Sequence, residues 1–412
     1  MKDYLNKIFI GDKILWGIIF FLFIMSGVEM FSAISFSAYH AAAKGGSHLT
    51  PFYNHLSHLA GGAIALIIIP RVPFKDLRFW CFLAVIFCFI LLIATMLSGK
   101  NVNSATRAIS IGGTAIQTIE FGKFALIACL AEFLGRNYKK GDPLLKESFP
   151  RRTFIGVCIF ITIFCGIIAP QNLSTACILA FVSLLMMIIA EVDLKKIAAF
   201  IGIIFALVFL IWGVHKFIIP EKYKLVRFVT WENRIIEILD SSSSEEDTYK
   251  ITDENRQIIN SEIAIALGYN ACGPGNSTQR DHLPLAFSDF IYAIIIEEWG
   301  IVGGFVTILL YLCILARAGR VVLKCERKDL VYALLVIGLS LLIVVQAFVN
   351  MSVAVHLGPV TGQQLPIISR GGIGIILTCA YLGIIQNISH NILYVENKEN
   401  SVNTIENKNN DQ

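Results

Sequence analysis

Between Gly268 and Gly300 the chain reads GYNACGPGNSTQRDHLPLAFSDFIYAIIIEEWG, which sets glycines, a strong base at Arg280 and carboxylates at Asp289, Glu297 and Glu298 against a long apolar run. A carboxylate at the edge of hydrocarbon is costly to keep charged, so it asks for a chemical or a structural reason. The chemical reason is proton abstraction, because a desolvated carboxylate holds a proton more tightly and accepts one more readily. The structural reason is the helix dipole, which favours Asp289 at a helix N-terminus with Ser288 as the cap beside it. On the residues alone both readings stand. At 100° per residue Glu297 lies about 80° round from Asp289 and Glu298 about opposite, both roughly 12 Å further along, so the three cannot share one site.

Gly268, Gly273 and Gly275, with Pro274 among them, let a backbone approach a ligand closely and aim N–H groups at an anion such as a diphosphate, although such residues mark turns more often. Arg280 and Arg107 are cations in segments expected to lie outside the cell, where topology does not call for them, and an anionic partner explains both. Gln117, Glu120 and Lys123 recur every three residues and face the bundle interior, either as a Glu120–Lys123 pair that locks packing or in contact with a ligand. Arg370, in the Ser369-Arg370-Gly371-Gly372 turn, has a bland role available as a headgroup anchor.

The elements that must position these groups are membrane helices. With 412 residues, 56% hydrophobic and only 16% charged, and a mean hydropathy of +0.68, the chain reads as an all-α polytopic membrane protein. Ten apolar runs of spanning length centre on 14–36, 55–70, 79–97, 117–134, 153–168, 174–190, 198–214, 289–316, 330–353 and 373–392. The first is too long and uninterrupted for a secretory signal and is read as retained. Lysines and arginines collect in every second loop, which places both termini in the cytoplasm and a large loop, 217–288, outside. The whole is one transmembrane domain over 1–394 followed by a polar, disordered cytoplasmic tail at 395–412. Within the outer loop, 240–247 reads DSSSSEED, a solvated linker, whereas 257–268 has the spacing of a short amphipathic helix lying on the membrane.

The net charge of +4 is dispersed over membrane-flanking loops without aromatic interleaving, which excludes nucleic-acid binding. The ten cysteines fall almost entirely in or beside spans and form neither a disulfide framework nor a metal-ligand spacing.

Taken together these residues resemble the SEDS (shape, elongation, division and sporulation) membrane glycosyltransferases, the FtsW and RodA family, over nearly the whole chain. The strongest block is Gly275-Asn276-Ser277-Thr278-Gln279-Arg280, Leu283-Pro284, Ser288-Asp289-Phe290 and Glu297-Glu298-Trp299-Gly300, against the family's G-x-S-x-Q-K, L-P, T-D-F and E-E-L-G. Arg107 with Gln117, Glu120 and Lys123 resembles R-W and Q-P-S-E-x-x-K, with Ala108, Thr118 and Ile119 departing. Gln171 to Ala176 resembles P-D-L-G-T-A with Asn172 for the acid. Asn350-Met351, Pro359, Gly362, Leu365-Pro366 and Ser369 to Gly372 resemble the closing motifs, with Thr361 for the family's lysine and Arg370 for its tyrosine. One cation is lost at 361 and another appears at 370, which would keep the outer cavity positive.

The resemblance implies a peptidoglycan polymerase that uses lipid II and a nascent glycan on undecaprenyl diphosphate, forming β-1,4 bonds with inversion. It implies Asp289 as catalytic base and Arg107, Lys123, Arg280, Gln279, Ser277 and Arg370 as substrate-binding residues, with Glu120, Glu297 and Glu298 supporting the site. A divalent cation, Mg or Mn, is compatible with a diphosphate leaving group, although the sequence holds no metal-ligand cluster. The implied partners are a single-span class B penicillin-binding protein and other division proteins, in the bacterial inner membrane at the septum. The Pro359-Val360-Thr361-Gly362 and Ser369-Arg370-Gly371-Gly372 segments lean towards the FtsW branch, with RodA-type elongation as the alternative. Two other classes compete: a lipid II flippase, disfavoured because the polar groups gather on one face, and a scaffold that only recruits partners.

Overall fold

A computed structural model describes residues 9–33, 49–98, 100–102, 105–111, 114–137, 150–217, 256–283, 286–325 and 330–410. The described helices are α1 (Lys13–Ala33), α2 (Thr50–Ile68), α3 (Phe74–Ser98), α4 (Thr118–Asn137), α5 (Arg151–Ile168), α6 (Leu173–Ile189), α7 (Leu194–Phe217), α8 (Arg256–Leu267), α9 (Ile291–Lys324), α10 (Leu330–Ala354) and α11 (Ile373–Asn410). Each of the ten expected runs overlaps one of these helices, with positions 34–36 of the first outside the described residues, and α8 falls where a helix is expected at 257–268. Among the described residues eight helices are long and apolar enough to cross a membrane, α6 is a shorter apolar one, and α4 is in neither group. The acidic stretch 240–247 lies outside the described residues.

Two local expectations differ. Between α3 and α4 the chain forms a three-stranded antiparallel meander, β1 (Lys100–Val102), β2 (Ala105–Ile111) and β3 (Thr114–Gln117). In the β2–β3 pair Ile111 lies opposite Thr114 and Ala108 opposite Gln117. The last helix is helical through Asn410, where composition predicts a disordered tail; a preformed apolar helix supplies the nucleus that a polar segment cannot form alone.

The bundle is organised on α10, whose side chains are buried on all sides and which packs against α4, α6, α9 and α11. A helix apolar all round belongs in an interior. Because lipid tails are as apolar as leucine, close packing and buried polar bonds hold such a pillar in place. At one end, Asp12 caps α1 through Ile14 N–H at 2.9 Å and pairs with Arg317 of α9 at 2.5 Å, while its N–H reaches Gln386 of α11 at 2.6 Å. That end therefore joins the start of α1 to the later turns of α9 and α11. The candidate site lies at the other end, where α1 finishes and α9 begins.

At this second end α9 is kinked. Gly300 has φ 73°, a left-handed conformation that favours glycine. The break leaves backbone carbonyls of the preceding turn to accept from outside the helix: Cys272 N–H meets Glu297 O at 3.2 Å and Gly273 N–H meets Glu298 O at 2.9 Å. Gly268 makes the contact sterically feasible, since a Cβ there would lie 2.4 Å from the Ile296 carbonyl oxygen. Gly268→Ala is therefore expected to unseat the 268–283 segment at a cost of about 1–3 kcal/mol, read as faster limited proteolysis there and a lower unfolding temperature, with the remaining helices unchanged.

Candidate functional site

Asp289 sits in the turn leading into α9, half-buried, two residues before the first helical residue. The helix cap is Phe290, without a side-chain capping bond. The expected cap at Ser288 thus does not form, since the helix begins one residue past Phe290. Instead Ser288 Oγ donates to Asp289 Oδ1 at 2.9 Å, the single hydrogen bond its carboxylate takes among the described residues. Burial pushes the Asp289 carboxyl above its ordinary pKa, opposed in part by that hydroxyl.

The backbone around Asp289 is held firmly while the carboxylate is left available. Asn350 Nδ2, on α10, bridges the carbonyls of Asp289 at 2.9 Å and Gln363 at 2.7 Å. Ser369 Oγ donates to Ser288 O at 2.6 Å, and Arg370 N–H to Phe287 O at 2.9 Å. Gly362 lies alongside, where an added methyl would come 3.8 Å from Asp289 Oδ2. The neighbouring Thr361 hydroxyl is buried without a partner. Ile367, β-branched and at φ 72°, is strained in the same segment, which implies surroundings that over-determine it. Those are Ser26 Oγ donating to Ile367 O at 2.7 Å and Tyr311 OH donating to Pro366 O at 2.5 Å.

A polar path continues from this platform into the bundle. Gln346 Nε2 donates to Gln364 O at 3.0 Å, and Lys123 Nζ donates to Gln346 Oε1 at 2.9 Å and to Glu120 Oε1 at 2.7 Å. Lys123 is 2% exposed and Glu120 18%, so the pair is both a packing lock and the inner end of the path that leads to Asp289. An added methyl at Gly374 would meet Gln364 Oε1 at 3.6 Å and Glu120 Oε2 at 3.7 Å, which marks a narrow polar groove over the start of α11.

The glycine-rich loop behaves differently from the expected diphosphate cradle. Glu297 Oε1 accepts from Thr278 N–H and Thr278 Oγ1, both at 2.8 Å, and from Gln279 N–H at 3.3 Å, while Oε2 accepts from Ser277 Oγ at 2.5 Å. Ser277 N–H turns to Glu298 Oε1 at 3.4 Å. The anion that these N–H groups hold is the protein's own carboxylate. Ser277, buried at 4% exposure, therefore supports the loop and is not placed to meet a ligand. Glu297 and Glu298 hold the 277–279 segment, and their hydrogen-bond partners are separate from those of Asp289.

Arg280 Nη1 bonds Gly275 O at 2.7 Å and Ser32 Oγ of α1 at 3.3 Å, and Ser32 in turn donates to Glu298. Its Nε is buried without a partner. The Arg370 guanidinium stacks over Phe287 at 5.3 Å from the ring centre, within the same turn as Asp289. Gln279 is half-buried beside Arg280. The backbone of Arg107 lies on β2, and its side chain is outside the described residues.

Several site residues were not singled out from the sequence. Gln346 and Glu29 interrupt otherwise apolar helices, the usual sign of an intramembrane polar role. Glu29, fully buried in α1, accepts from Trp299 Nε1 and so fastens the end of α1 to the kink of α9. Gln363 and Gln364 carried no signal, because they act through backbone carbonyls as much as through their amides. Among the described residues no three His, Cys, Asp or Glu converge as a metal cage; Asp289 stands apart from the Glu297–Glu298 loop, so the donors do not fit a dedicated divalent site.

Comparison with known proteins adds a lineage to this geometry. A family model described as "Cell cycle protein", covering FtsW, RodA and SpoVE, matches residues 13–393. A Bacillus subtilis protein named "Probable peptidoglycan glycosyltransferase FtsW" is 30% identical over 395 residues, covering 93% of this chain and 92% of that protein. Stage V sporulation protein E of the same organism is 29% identical over 80% of this chain and 84% of its own length. Among solved structures, a chain from a peptidoglycan synthase complex superposes with a TM-score of 0.68 at 21% identity, covering 93% of this chain and 98% of that one. Thermus thermophilus RodA does so with a TM-score of 0.59 at 19% identity, over 92% and 96% respectively.

Proposed function

This chain belongs to the FtsW, RodA and SpoVE family of cell cycle proteins, and from that premise we infer that it is a membrane peptidoglycan glycosyltransferase of cell division whose base is Asp289. It is a multi-pass membrane protein. The FtsW and sporulation names of its relatives favour division over RodA-type elongation. The observation that carries the site assignment is the Asp289 carboxylate itself: half-buried, clear of helix capping, with one hydrogen bond and a backbone fixed by Asn350.

The donor is a nascent glycan on undecaprenyl diphosphate and the acceptor is lipid II. The acceptor's sugar 4-hydroxyl oxygen attacks the anomeric carbon on the face opposite the diphosphate, and its proton passes to Asp289. The carbon–oxygen bond to diphosphate breaks with its electron pair leaving on undecaprenyl diphosphate, and the new bond is β-1,4 with inversion. Raised proton affinity at Asp289 suits a base. The departing charge needs fixed cations in a dry site, and Lys123, Arg280, Arg370 and Arg107 supply them, with Gln279 beside Arg280. Among the described residues no group of three His, Cys, Asp or Glu forms a cage for a divalent ion. The enzyme works in the cytoplasmic membrane at the septum with a single-span class B penicillin-binding protein, for which α8 and the 268–283 segment form the docking face.

The test is glycan synthesis from lipid II by the purified full-length protein, with and without that transpeptidase, reading strand length on a gel. Polymer supports the reading. Transfer of fluorescent lipid II across liposomes with no polymer formed would instead make the protein a transporter. Arg370 gives a finer expectation: Arg370→Ala raises the apparent KM for lipid II roughly tenfold, the loss of about one charge-assisted contact, with unchanged thermal unfolding. Unaltered affinity and rate would remove the idea that this cation replaces the one lost at Thr361.

A further inference from the structure

At the end of the bundle away from Asp289, α3, α4 and α10 leave a cavity of about 420 Å³ between them, within the range of pockets that hold small molecules, roughly 300–1,000 Å³. Its walls are apolar, with Val85, Ala128 and Leu335 inside. Its flank carries Phe79, Phe82 and Phe133, all exposed, so it opens sideways towards the hydrocarbon of a bilayer. Its rim is ionic: Arg78 Nη2 lies 2.5 Å from Glu132 Oε1, and Arg136 Nε meets the same oxygen. Two guanidiniums thus share one carboxylate, which among the described residues leaves one positive charge in excess at the mouth of a greasy cleft. Arg136 is 67% exposed and Arg78 40%, so both heads reach solvent or headgroups.

The side of the membrane follows from charge. Arg78 is near the start of α3, Arg136 near the end of α4, and Tyr332, at the start of α10, packs at a tilt against Phe74 with ring centres 4.4 Å apart. Arg71, Lys75, Arg317, Arg320 and Lys324 lie at the same helix ends, which the positive-inside rule assigns to the cytoplasm. Anionic glycerophospholipids face these ends in that leaflet, and basic pockets between transmembrane helices hold their headgroups.

We propose that this cleft is a binding site for an anionic glycerophospholipid, with its phosphate between Arg78 and Arg136 and one acyl chain in the cavity lined by Val85, Ala128 and Leu335. Glu132 then acts as a competitor for the phosphate that holds the two guanidiniums in place between occupants. The site is remote from Asp289, and its occupancy does not depend on the glycosyltransferase reading.

Native mass spectrometry of the detergent-purified full-length protein tests this with phosphatidylglycerol, phosphatidylcholine of identical chains, and undecaprenyl phosphate. Phosphatidylglycerol is expected to be retained at least tenfold better than phosphatidylcholine. Arg78→Gln and Arg136→Gln each lower its retention roughly fivefold, and the double variant about twentyfold or more. Glu132→Gln raises it, a direction that loss of a merely structural ion pair would not give. Ala128→Trp fills the cleft and lowers retention of phosphatidylglycerol with both arginines intact. Equal retention of phosphatidylcholine by the wild-type protein, preference for undecaprenyl phosphate, or no gain with Glu132→Gln would each overturn the proposal, and the wild-type comparison decides even if a variant fails to fold.

Discussion

Asp289→Asn is expected to lower glycan polymerisation from lipid II by about a thousandfold, within the 10²–10⁴ contributed by a positioned general base, while membrane insertion and thermal unfolding stay at wild-type values. The substitution keeps the volume of the side chain and an oxygen for the Ser288 hydroxyl. It also leaves intact the backbone carbonyl that Asn350 grips at 2.9 Å. What it removes is the ability to take a proton. The sign of the linkage sharpens this expectation. Burial raises the folded-state pKa of Asp289 above its unfolded value, so its contribution to stability is full below the unfolded pKa and is lost as pH rises through the folded one. Asp289→Asn should therefore unfold no more easily than wild type at neutral pH, and normal or slightly raised stability beside lost activity is the combined result to look for.

Glu297→Ala should produce the largest structural effect at the end of the molecule where α9 begins. One carboxylate satisfies two backbone N–H groups and two hydroxyls of the 277–279 segment, and hydrogen bonds to a charged group are worth about 1.5–3 kcal/mol each. Cutting the side chain back to a methyl strands all four donors, and a loss of roughly 4 kcal/mol or more is expected, at the exceptional end for a single substitution. Glu297→Gln should be much milder. Its amide oxygen can keep the three donors at Oε1, and its NH₂ group can donate to the Ser277 hydroxyl, which accepts as well as donates. Urea unfolding of the two variants, together with proteolysis between 268 and 283, reads the contrast. If Ala and Gln behave alike, Glu297 is not the anchor of this loop.

The fold was legible because membrane helices announce themselves by length and apolarity, and the ten runs read from the sequence fall on α1 to α7 and α9 to α11. Asp289, Lys123 and Arg280 stood out in the sequence as candidates because a charge beside hydrocarbon contrasts with its surroundings. The part that was not legible depends on which donor meets which acceptor. Glycines at 268, 273 and 275 look like a cradle for a bound anion, yet the anion met by the N–H groups of the following Thr278 and Gln279 is the carboxylate of Glu297, nineteen residues beyond Thr278. The β2 and β3 strands have no long apolar alternation to betray them. Asn350, Gln363 and Gln364 act largely through main-chain carbonyls of distant segments, which no local spacing encodes.

The most direct test of the central claim is the pH dependence of polymerisation by the wild-type protein with the proposed transpeptidase partner, alongside the residual activity of Asp289→Asn. A base must be deprotonated to act, so the wild-type rate is predicted to fall on the acid side around a pKa above the ordinary aspartate value, and the residual activity of Asp289→Asn to show no such limb. Full glycan strands from Asp289→Asn, or an unchanged acid limb in that variant, would contradict it.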